Sequence, residues 1–259
     1  MSERWAAGAD PGRANVARVY DFLLGGSHNF EADREMARWM TATAGDAAMV
    51  ARANRAFLRR AVRELAGAGI RQFLDIGAGI PTVGNTHEVA APGAKVVYVD
   101  HDPVAVAHAQ VLLADDRNTE AVQGDLREPD LLLRIAEATG LLDFREPVAV
   151  LMLAVLPFVK DEERPAEAVA HLRDAVEKGS YLVVSHGASD ALPPEGVQDL
   201  YAKRATSTIT LRTREQVTGF FEGWEVQPPG VVWLPEWRPD EEPKDPASSV
   251  MYGALGRKA

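Results

Sequence analysis

The residues best suited to bind a ligand lie in and just after one apolar run, RQFLDI at positions 71–76. Asp75 lies within the run, and Gly77 and Gly79 follow it. The run predicts a short strand, and a helical pattern begins after Pro81. Glycine suits the turn because it tolerates positive φ and lets a ligand lie against the backbone. A strand, a glycine-rich turn and a helix open a doubly wound α/β fold, in which ligands bind beyond the carboxyl ends of strands.

The residues around the glycines indicate which ligand this turn binds. The phosphate-binding pattern G-x-x-x-x-G-K-[ST] is absent from the sequence. A dinucleotide site requires a third glycine three residues after the second, where this sequence has Thr82. Asp75 would repel a phosphate but would attract a ligand ammonium. The turn therefore favours a ligand that carries an ammonium and no phosphate.

Two further acidic positions continue the pattern. Asp100 ends the next predicted strand 21 residues beyond Gly79, a spacing that places a carboxylate near ribose hydroxyls. Gly124 and Asp125 follow the third predicted strand. Both aspartates could instead be simple caps at strand ends, but three signals in register favour a binding site. A ligand with a ribose, an ammonium and no phosphate fits S-adenosylmethionine.

Histidines are the first candidates for a catalytic base. Methyl transfer from a sulfonium is an in-line displacement that needs alignment, desolvation and, for a protonated acceptor, a base. His87 follows the glycine turn, His186 ends the fifth predicted strand, and His28 lies in an amino-terminal turn. Each could serve as the base, although a surface or hydrogen-bonded structural histidine is the commoner case. His101, next to Asp100, is predicted to lie nearer the adenine than the methyl group.

Residues 1–69 are predicted to form an N-terminal helical cover over the ligand cleft. Helices are expected from Ala14 to Gly25, from a cap at Ser27 or Asn29 to about Thr43, and from Asp46 to Gly67. A minimal nucleotide-binding fold does not need them. Tyr20, Asp21 and Phe30 are candidate contacts to the cofactor, because aromatic faces stabilise sulfonium cations and a carboxylate could neutralise charge. The alternative is that Tyr20 and Phe30 belong to the core.

Residues 70–259 are predicted to form the α/β core, with a mostly parallel sheet of seven strands and helices on both faces. Strands are expected at 71–76, 95–100, 121–123, 147–153 and 180–185, and helices at 83–91, 103–114, 129–138 and 161–178. Beyond these, helices are expected at 194–204 and 214–221, strands at 224–226, 231–234 and 250–255, and an exposed acidic loop at 236–249. The whole chain is predicted to be one compact unit.

Composition excludes several classes of function. The formal net charge of −10 argues against nucleic acid as the main partner. The one dense basic stretch, residues 52–63, is predicted to be a solvated helix face because its arginines fall on several sides. The chain has no cysteine, which excludes disulfides, thiolate metal sites and a cysteine nucleophile. It also lacks a secretory signal and any apolar stretch long enough to span a membrane, so we expect a cytoplasmic protein without a membrane partner.

Segments spread over most of the chain resemble one bacterial family. They include NVARVYDFLLGGSHNFEADREMA, ANRAFLRRAV, DIGAGIPTVGNTHEVA, VVYVDHDPVAVAHA and SYLVVSHGA. From about residue 14 to 258 the chain is similar to S-adenosylmethionine-dependent methyltransferases of unknown substrate, within class I. The resemblance implies a Rossmann-like fold, in which Asp100 holds the ribose and Asp125 contacts the adenine amino group, helped by the backbone of Leu126. The sequence departs from the family at Pro157, where a histidine is usual; any chemistry of that histidine is missing.

The sequence therefore predicts a class I methyltransferase that methylates a small molecule on oxygen or nitrogen, with no metal. The amino-group nucleic-acid methyltransferases carry [ND]-P-P-[YF] after the fourth strand, where this chain has VLPF at 155–158. Trp224, Trp233 and Trp237 suit a closed pocket. The alternative is a non-catalytic S-adenosylmethionine sensor or partner protein, and a nicotinamide enzyme is disfavoured. The predicted cofactor-binding residues are Asp75, Gly77, Ala78, Gly79, Asp100, His101, Gly124, Asp125, Leu126, Tyr20, Asp21 and Phe30.

Overall fold

A central sheet of eight strands forms the middle layer of the protein, as seen in a computed structural model. The structure describes residues 10–81, 84–191, 201, 205 and 207–259. The strands are β1 Gln72–Ile76, β2 Lys95–Asp100, β3 Thr119–Gln123, β4 Ala149–Leu153, β5 Tyr181–Gly187, β6 Glu225–Val226, β7 Val232–Trp233 and β8 Met251–Arg257. Their order is β3-β2-β1-β4-β5-β8-β6, and β7 also pairs with β8. The mostly parallel sheet is therefore confirmed; it has eight strands instead of seven because both short segments expected at 224–226 and 231–234 pair with β8.

The strands from β1 to β5 run parallel, whereas β6, β7 and β8 pair antiparallel. Every residue of β1 is buried. Strands covered by helices on both faces are mostly apolar, which is the pattern of the central residues of β1 and β2 and of all of β4. Because parallel strands end at the same edge, the loops after β1 to β4 meet above one edge of the sheet.

In the part of the chain that the structure describes, five helices connect or follow these strands. They are α4 Thr86–Val89, α5 Pro103–Leu113, α6 Pro129–Ala138, α7 Pro165–Ala175 and α8 Arg214–Gly219. Proline opens three of them, since the first turn of a helix does not use the missing N–H. The helix expected at 161–178 is shorter, because Arg164 has a φ of +54° and separates a 3-10 turn from α7. Thr82 and most of the helix expected at 194–204 lie outside the described residues.

Three helices precede the sheet: α1 Val16–Leu23, α2 Glu31–Ala44 and α3 Ala47–Gly67. The predicted cap of α3 is confirmed, since a carboxylate oxygen of Asp46 accepts from the Met49 amide at 2.9 Å. The predicted cap of α2 is wrong. Helix α2 begins after Phe30, whose amide donates to Asp33 at 2.7 Å, because the Asn29 side-chain oxygen that a cap would use accepts from Arg34 at 3.0 Å instead.

The three helices pack in two different layers. Helix α3 buries Phe57, Leu58 and Val62 directly against β1, β2, β4 and β5. Helices α1 and α2 instead form a separate apolar cluster with Tyr201 and Leu211, on the far side of the cleft. No helix within the described ranges is both long and apolar enough to cross a membrane.

Candidate active site

A cavity of about 580 Å³ lies above the carboxyl ends of the parallel strands. Its floor comes from the loops after β1, β2, β3 and β4, and its roof comes from α1, α2 and α3. The volume lies in the range of about 300–1,000 Å³ that is usual for small-molecule sites. The sheet edge that carries the predicted acidic residues therefore faces a cavity, and helices cover that cavity.

Asp75 presents a buried carboxyl group to this cavity. The residue is 6% exposed, and Oδ2 accepts a hydrogen bond of 2.6 Å from the Thr86 hydroxyl. Burial raises the pKa of Asp75 to about 6, while the Thr86 hydrogen bond and the charge of Arg55 oppose the rise. A carboxylate that is costly to ionise in this way gains from a cationic ligand group.

The turn after β1 requires both of its glycines. Gly77 has a φ of +72° and Gly79 a φ of +64°, which L residues with a side chain rarely adopt. A Cβ at Gly77 would lie 2.4 Å from a methyl carbon of Val155, so the β4 loop packs directly on this backbone. With Ala78 between them, these residues line the cavity.

Asp100 ties the β1 and β2 loops together. Its Oδ2 accepts from the Gly79 amide at 2.8 Å, and its Oδ1 accepts from the Asp102 amide at 2.9 Å. An ionised carboxylate has about four acceptor positions, so at least one remains for a ligand hydroxyl even when His101 also bonds to it. His101 lines the cavity beside it, and a hydrogen bond to Asp100 raises the pKa of His101 above its ordinary value.

The loop after β3 supplies Gly124, Asp125 and Leu126 to the cavity wall. A Cβ at Gly124 would lie 2.8 Å from a methyl carbon of Val99, so this position also needs glycine. The Asp125 carboxylate is partly exposed and is held by the Arg127 side chain, whose Nε lies 2.9 Å from Oδ1. Arg127 in turn contacts Glu163 at 3.0 Å, so the orientation of Asp125 is set before a ligand arrives.

Tyr20 is the one of the three predicted cover residues that lines the cavity. Its hydroxyl donates to the Ala51 carbonyl at 3.2 Å and accepts from Asn54 at 3.1 Å. The other two are absent from the cavity lining. Asp21 accepts from the amide of His28 at 2.8 Å, and the Phe30 ring lies 5.1 Å from the Arg18 guanidinium carbon.

The three histidines considered as bases are not among the residues that line the cavity. His87 Nδ1 lies 2.7 Å from the Tyr98 hydroxyl, and the ring of His28 lies 4.1 Å from that of His108. His186 is fully buried; its Nδ1 lies 2.9 Å from the Gly187 carbonyl, and Arg212 donates to its Nε2 at 2.9 Å.

Burial lowers the pKa of His186 to about 3, so the ring is neutral. The carbonyl contact makes Nδ1 the protonated nitrogen. The lone pair that a base would need is therefore engaged by a guanidinium. This geometry gives no support to a proton-accepting role, which stays a prediction for all three histidines.

Comparison with known proteins identifies the family. A model of the S-adenosyl methyltransferase family matches residues 3–259. The chain belongs to this family. No curated protein matches it.

Solved structures agree with this assignment. A protein from Thermobifida fusca, described as a candidate methyltransferase, is 37% identical, with a TM-score of 0.92 over 99% of both chains. A DUF574 family protein from Streptomyces avermitilis is 39% identical, with a TM-score of 0.88 over 96% of this chain and 99% of that one. Magnesium protoporphyrin IX methyltransferase from Synechocystis, solved with S-adenosylhomocysteine, is 13% identical, with a TM-score of 0.56 over 93% of each chain, and shares the fold.

The cofactor of the family is S-adenosylmethionine, and the cavity of this methyltransferase fits it. Asp75 offers a buried carboxyl group. Asp100 keeps an acceptor position free, and it lies beside the backbone of Gly77 and Gly79, where no side chain blocks a ligand. Arg55 adds a buried guanidinium nitrogen, Nε, that has no hydrogen-bond partner among the described residues. Together they complement a molecule with an ammonium, a carboxylate and ribose hydroxyls.

Arg55 is a charged cavity residue that the sequence analysis missed. It stands in the basic stretch that was predicted to be solvated, and Arg52, Arg59 and Arg63 of that stretch are indeed exposed. The missed signal is helical spacing. Residues 51, 54, 55 and 58 recur every three or four positions and all line the cavity, so Arg55 falls on the inner stripe of α3.

The other end of the cavity in this methyltransferase is apolar. Phe158 and Tyr201 face each other with ring centres 5.8 Å apart, and the Tyr201 hydroxyl lies 3.7 Å from the Met40 sulfur. Pro157, at the position where the family pattern has histidine, is buried here, and its carbonyl accepts from the Thr210 amide at 2.7 Å. The further apolar side chains of this end, which share one cluster with Tyr201, are Val16, Val19, Leu23, Ile209 and Leu211.

Proposed function

We propose that this methyltransferase transfers the methyl group of S-adenosylmethionine to an oxygen or nitrogen of a small, largely apolar molecule. The observation that carries the proposal is one continuous cavity with two unlike ends. One end presents carboxylates and open backbone, and the other presents aliphatic and aromatic side chains. Such a cavity suits a polar cofactor at one end and an apolar acceptor at the other.

The polar end supports a specific set of cofactor contacts. Asp75 would pair with the ammonium, Asp100 would accept from the ribose hydroxyls, and Asp125 would accept from the adenine amino group. The backbone from Gly77 to Gly79, with Ala78, would lie against the sugar, and Gly124, Leu126 and His101 would surround the adenine. Tyr20 would cover the cofactor from α1. Asp21 and Phe30 act one layer further out, by holding the turn between α1 and α2.

The apolar end supports a small acceptor. It is enclosed by residues from α1, α2 and the β4 loop, by Tyr201 and by residues between 207 and 211, and no nucleic-acid strand would pass beneath such a roof. Once bound, the cofactor supplies an electrophilic methyl group, and the chain supplies alignment and a site from which water is excluded. No step in this proposal requires His87, His186 or His28.

We propose that residues 1–69 act as the cover and residues 70–259 as the catalytic core, within one compact unit. A cytoplasmic location and the absence of nucleic-acid and membrane partners stay predictions, based on the composition. The non-catalytic sensor is the alternative that the test below must separate from an enzyme.

The first test is titration calorimetry with S-adenosylmethionine, S-adenosylhomocysteine and NAD. We expect the first two to bind and NAD not to bind. A second measurement follows the release of S-adenosylhomocysteine while the protein is incubated with fractions of small apolar metabolites. Turnover with any fraction supports the enzyme. Binding of the cofactor with no product from any fraction would favour the sensor, and failure of both sulfur ligands to bind would contradict the proposed site.

A further inference from the structure

Arg55 differs from the other arginines of α3 in having a buried nitrogen without a partner. Arg52 lies 3.5 Å from Asp46, Arg63 lies 3.2 Å from Asp240, and Arg60 donates to two backbone carbonyls. In contrast, the buried Nε of Arg55 has no hydrogen-bond partner within the described residues. A buried donor that lacks a partner is costly, and more so when it is charged. Such a group is suited to a ligand that brings an acceptor.

The side chain of Arg55 is positioned over the polar end of the cavity. Its Cδ would lie 3.7 Å from a Cβ placed on Gly84, in the loop that follows the glycine turn. Its guanidinium carbon lies 5.6 Å from the centre of the Tyr20 ring, within the range of a cation–π contact. The loop on one side and the ring on the other restrict the guanidinium to the space between cover and core.

Arg55 and Asp75 place opposite charges in the same end of the cavity. The positive charge of Arg55 acts to lower the pKa of Asp75, which shows that each feels the other. However, the Asp75 carboxylate takes its hydrogen bond from Thr86 and not from Arg55. A guanidinium and a carboxylate that face one cavity without bonding to each other complement a zwitterion inserted between them.

We propose that Arg55 binds the carboxylate of the amino-acid end of the cofactor, while Asp75 binds its ammonium. This inference rests on the proposed function, because it concerns the same ligand. Its consequence is that helix α3, which precedes the core, completes the cofactor site. The guanidinium would distinguish a complete amino-acid end from adenosine ligands that lack it.

The test compares two ligands that differ only at this end, S-adenosylhomocysteine and 5′-methylthioadenosine. By titration calorimetry, Arg55→Met should lower the affinity for S-adenosylhomocysteine by about 10- to 100-fold, the range expected for the loss of a hydrogen bond to a charged group. The affinity for 5′-methylthioadenosine should change by less than about threefold, since that ligand has no carboxylate. Arg55→Lys should keep part of the affinity, because it keeps the charge but not the planar fork.

Arg59→Met is the matched control, since Arg59 also lies near Gly84 but is exposed and does not line the cavity. It should leave both affinities unchanged. If Arg55→Met weakens both ligands equally, or neither, the carboxylate contact is wrong. If the variant fails to fold, the wild-type protein still gives an answer: decarboxylated S-adenosylmethionine must bind at least tenfold more weakly than S-adenosylmethionine, and equal binding overturns the proposal. If no sulfur ligand binds the wild type, the proposed function itself has failed.

Discussion

The two ends of the cavity are built by different means. At the polar end, the carboxylates of Asp75, Asp100 and Asp125 lie at the carboxyl ends of parallel strands or directly after them, whereas Arg55 comes from a distant helix. At the apolar end, the side chains come from separate segments, and Met40 and Tyr201, which are in contact, are 161 residues apart in the chain. The carboxylates of the polar end are thus specified locally by strand and turn, whereas the apolar end exists only after the helices have packed. The comparison predicts that cofactor binding depends on the first end and is insensitive to the second.

Asp100→Ala should give the largest loss of cofactor affinity. The variant removes the proposed ribose acceptor and leaves the amides of Gly79 and Asp102 without their partner. A lost buried hydrogen-bonding partner costs about 1–3 kcal/mol, which corresponds to roughly 5- to 150-fold in the dissociation constant for S-adenosylhomocysteine. Titration calorimetry measures it, and thermal unfolding shows whether the loop is still formed. Unchanged binding in a folded variant would mean that Asp100 is only a strand-end cap.

Cofactor affinity should rise with pH through the titration of Asp75. Its pKa is raised to about 6 from 3.8, so the carboxyl is protonated at pH 5 in the free protein and ionised at pH 7.5. The raised pKa stabilises the fold below about pH 4, and this stabilisation is lost as the pH rises through 6. A ligand ammonium needs the ionised form, so binding at pH 5 should be weaker by roughly tenfold than at pH 7.5.

The control for this pH effect is Asp75→Asn. This variant should bind the cofactor weakly at both pH values, and its affinity should not change between pH 5 and pH 7.5. Titration of wild type and variant in buffers of matched ionic strength provides the comparison. If the affinity of Asp75→Asn changes with pH as much as that of the wild type, another group titrates, and His101 would be the next residue to replace.

Phe158→Ala should have the smallest effect on cofactor affinity. Phe158 lines the apolar end, where its ring contacts Tyr201, and it makes no hydrogen bond to the β1 or β2 loops. We expect the dissociation constant for S-adenosylhomocysteine to change by less than about threefold, while thermal unfolding reports a loss of packing in the cover. A loss as large as that of Asp100→Ala would break the division of the cavity into two independent ends.

The predicted site residues that line the cavity are mostly those at the end of a strand or in the short turn that follows it. Asp75 and Asp100 lie in the last two residues of β1 and β2, and Gly79 follows β1 by three residues. All three therefore lie at the carboxyl edge of the sheet, where they line the cavity. The prediction of cavity-lining residues was weaker for side chains of the cover, which can contact either the cavity or a neighbouring helix. Asp21 and Phe30 follow closely after Tyr20 in the sequence, yet they turn to contacts between α1 and α2 instead of the cavity.

The histidines show the same limit. His186 does end β5 as predicted, but the sequence cannot reveal that Arg212, 26 residues later, occupies its second nitrogen. The start of the helix expected at 161–178 was wrong for a local reason. Arg164 has a left-handed backbone conformation, which its residue type does not predict. Arg55 shares a basic stretch whose other arginines point to several sides of α3, so only its place beside residues 51, 54 and 58 distinguishes it.

By itself, the sequence determined the family, the cofactor, the parallel sheet and the acidic residues at its edge. These depend on local patterns: apolar runs of strand length, glycines where the backbone turns, and an aspartate where a strand ends. Only the tertiary structure decided which arginine of α3 lines the cavity, which histidines are already bonded, and how α1, α2, Tyr201 and residues between 207 and 211 enclose an apolar chamber. Those outcomes depend on contacts between distant segments, and burial by a distant segment is a property that no local pattern records.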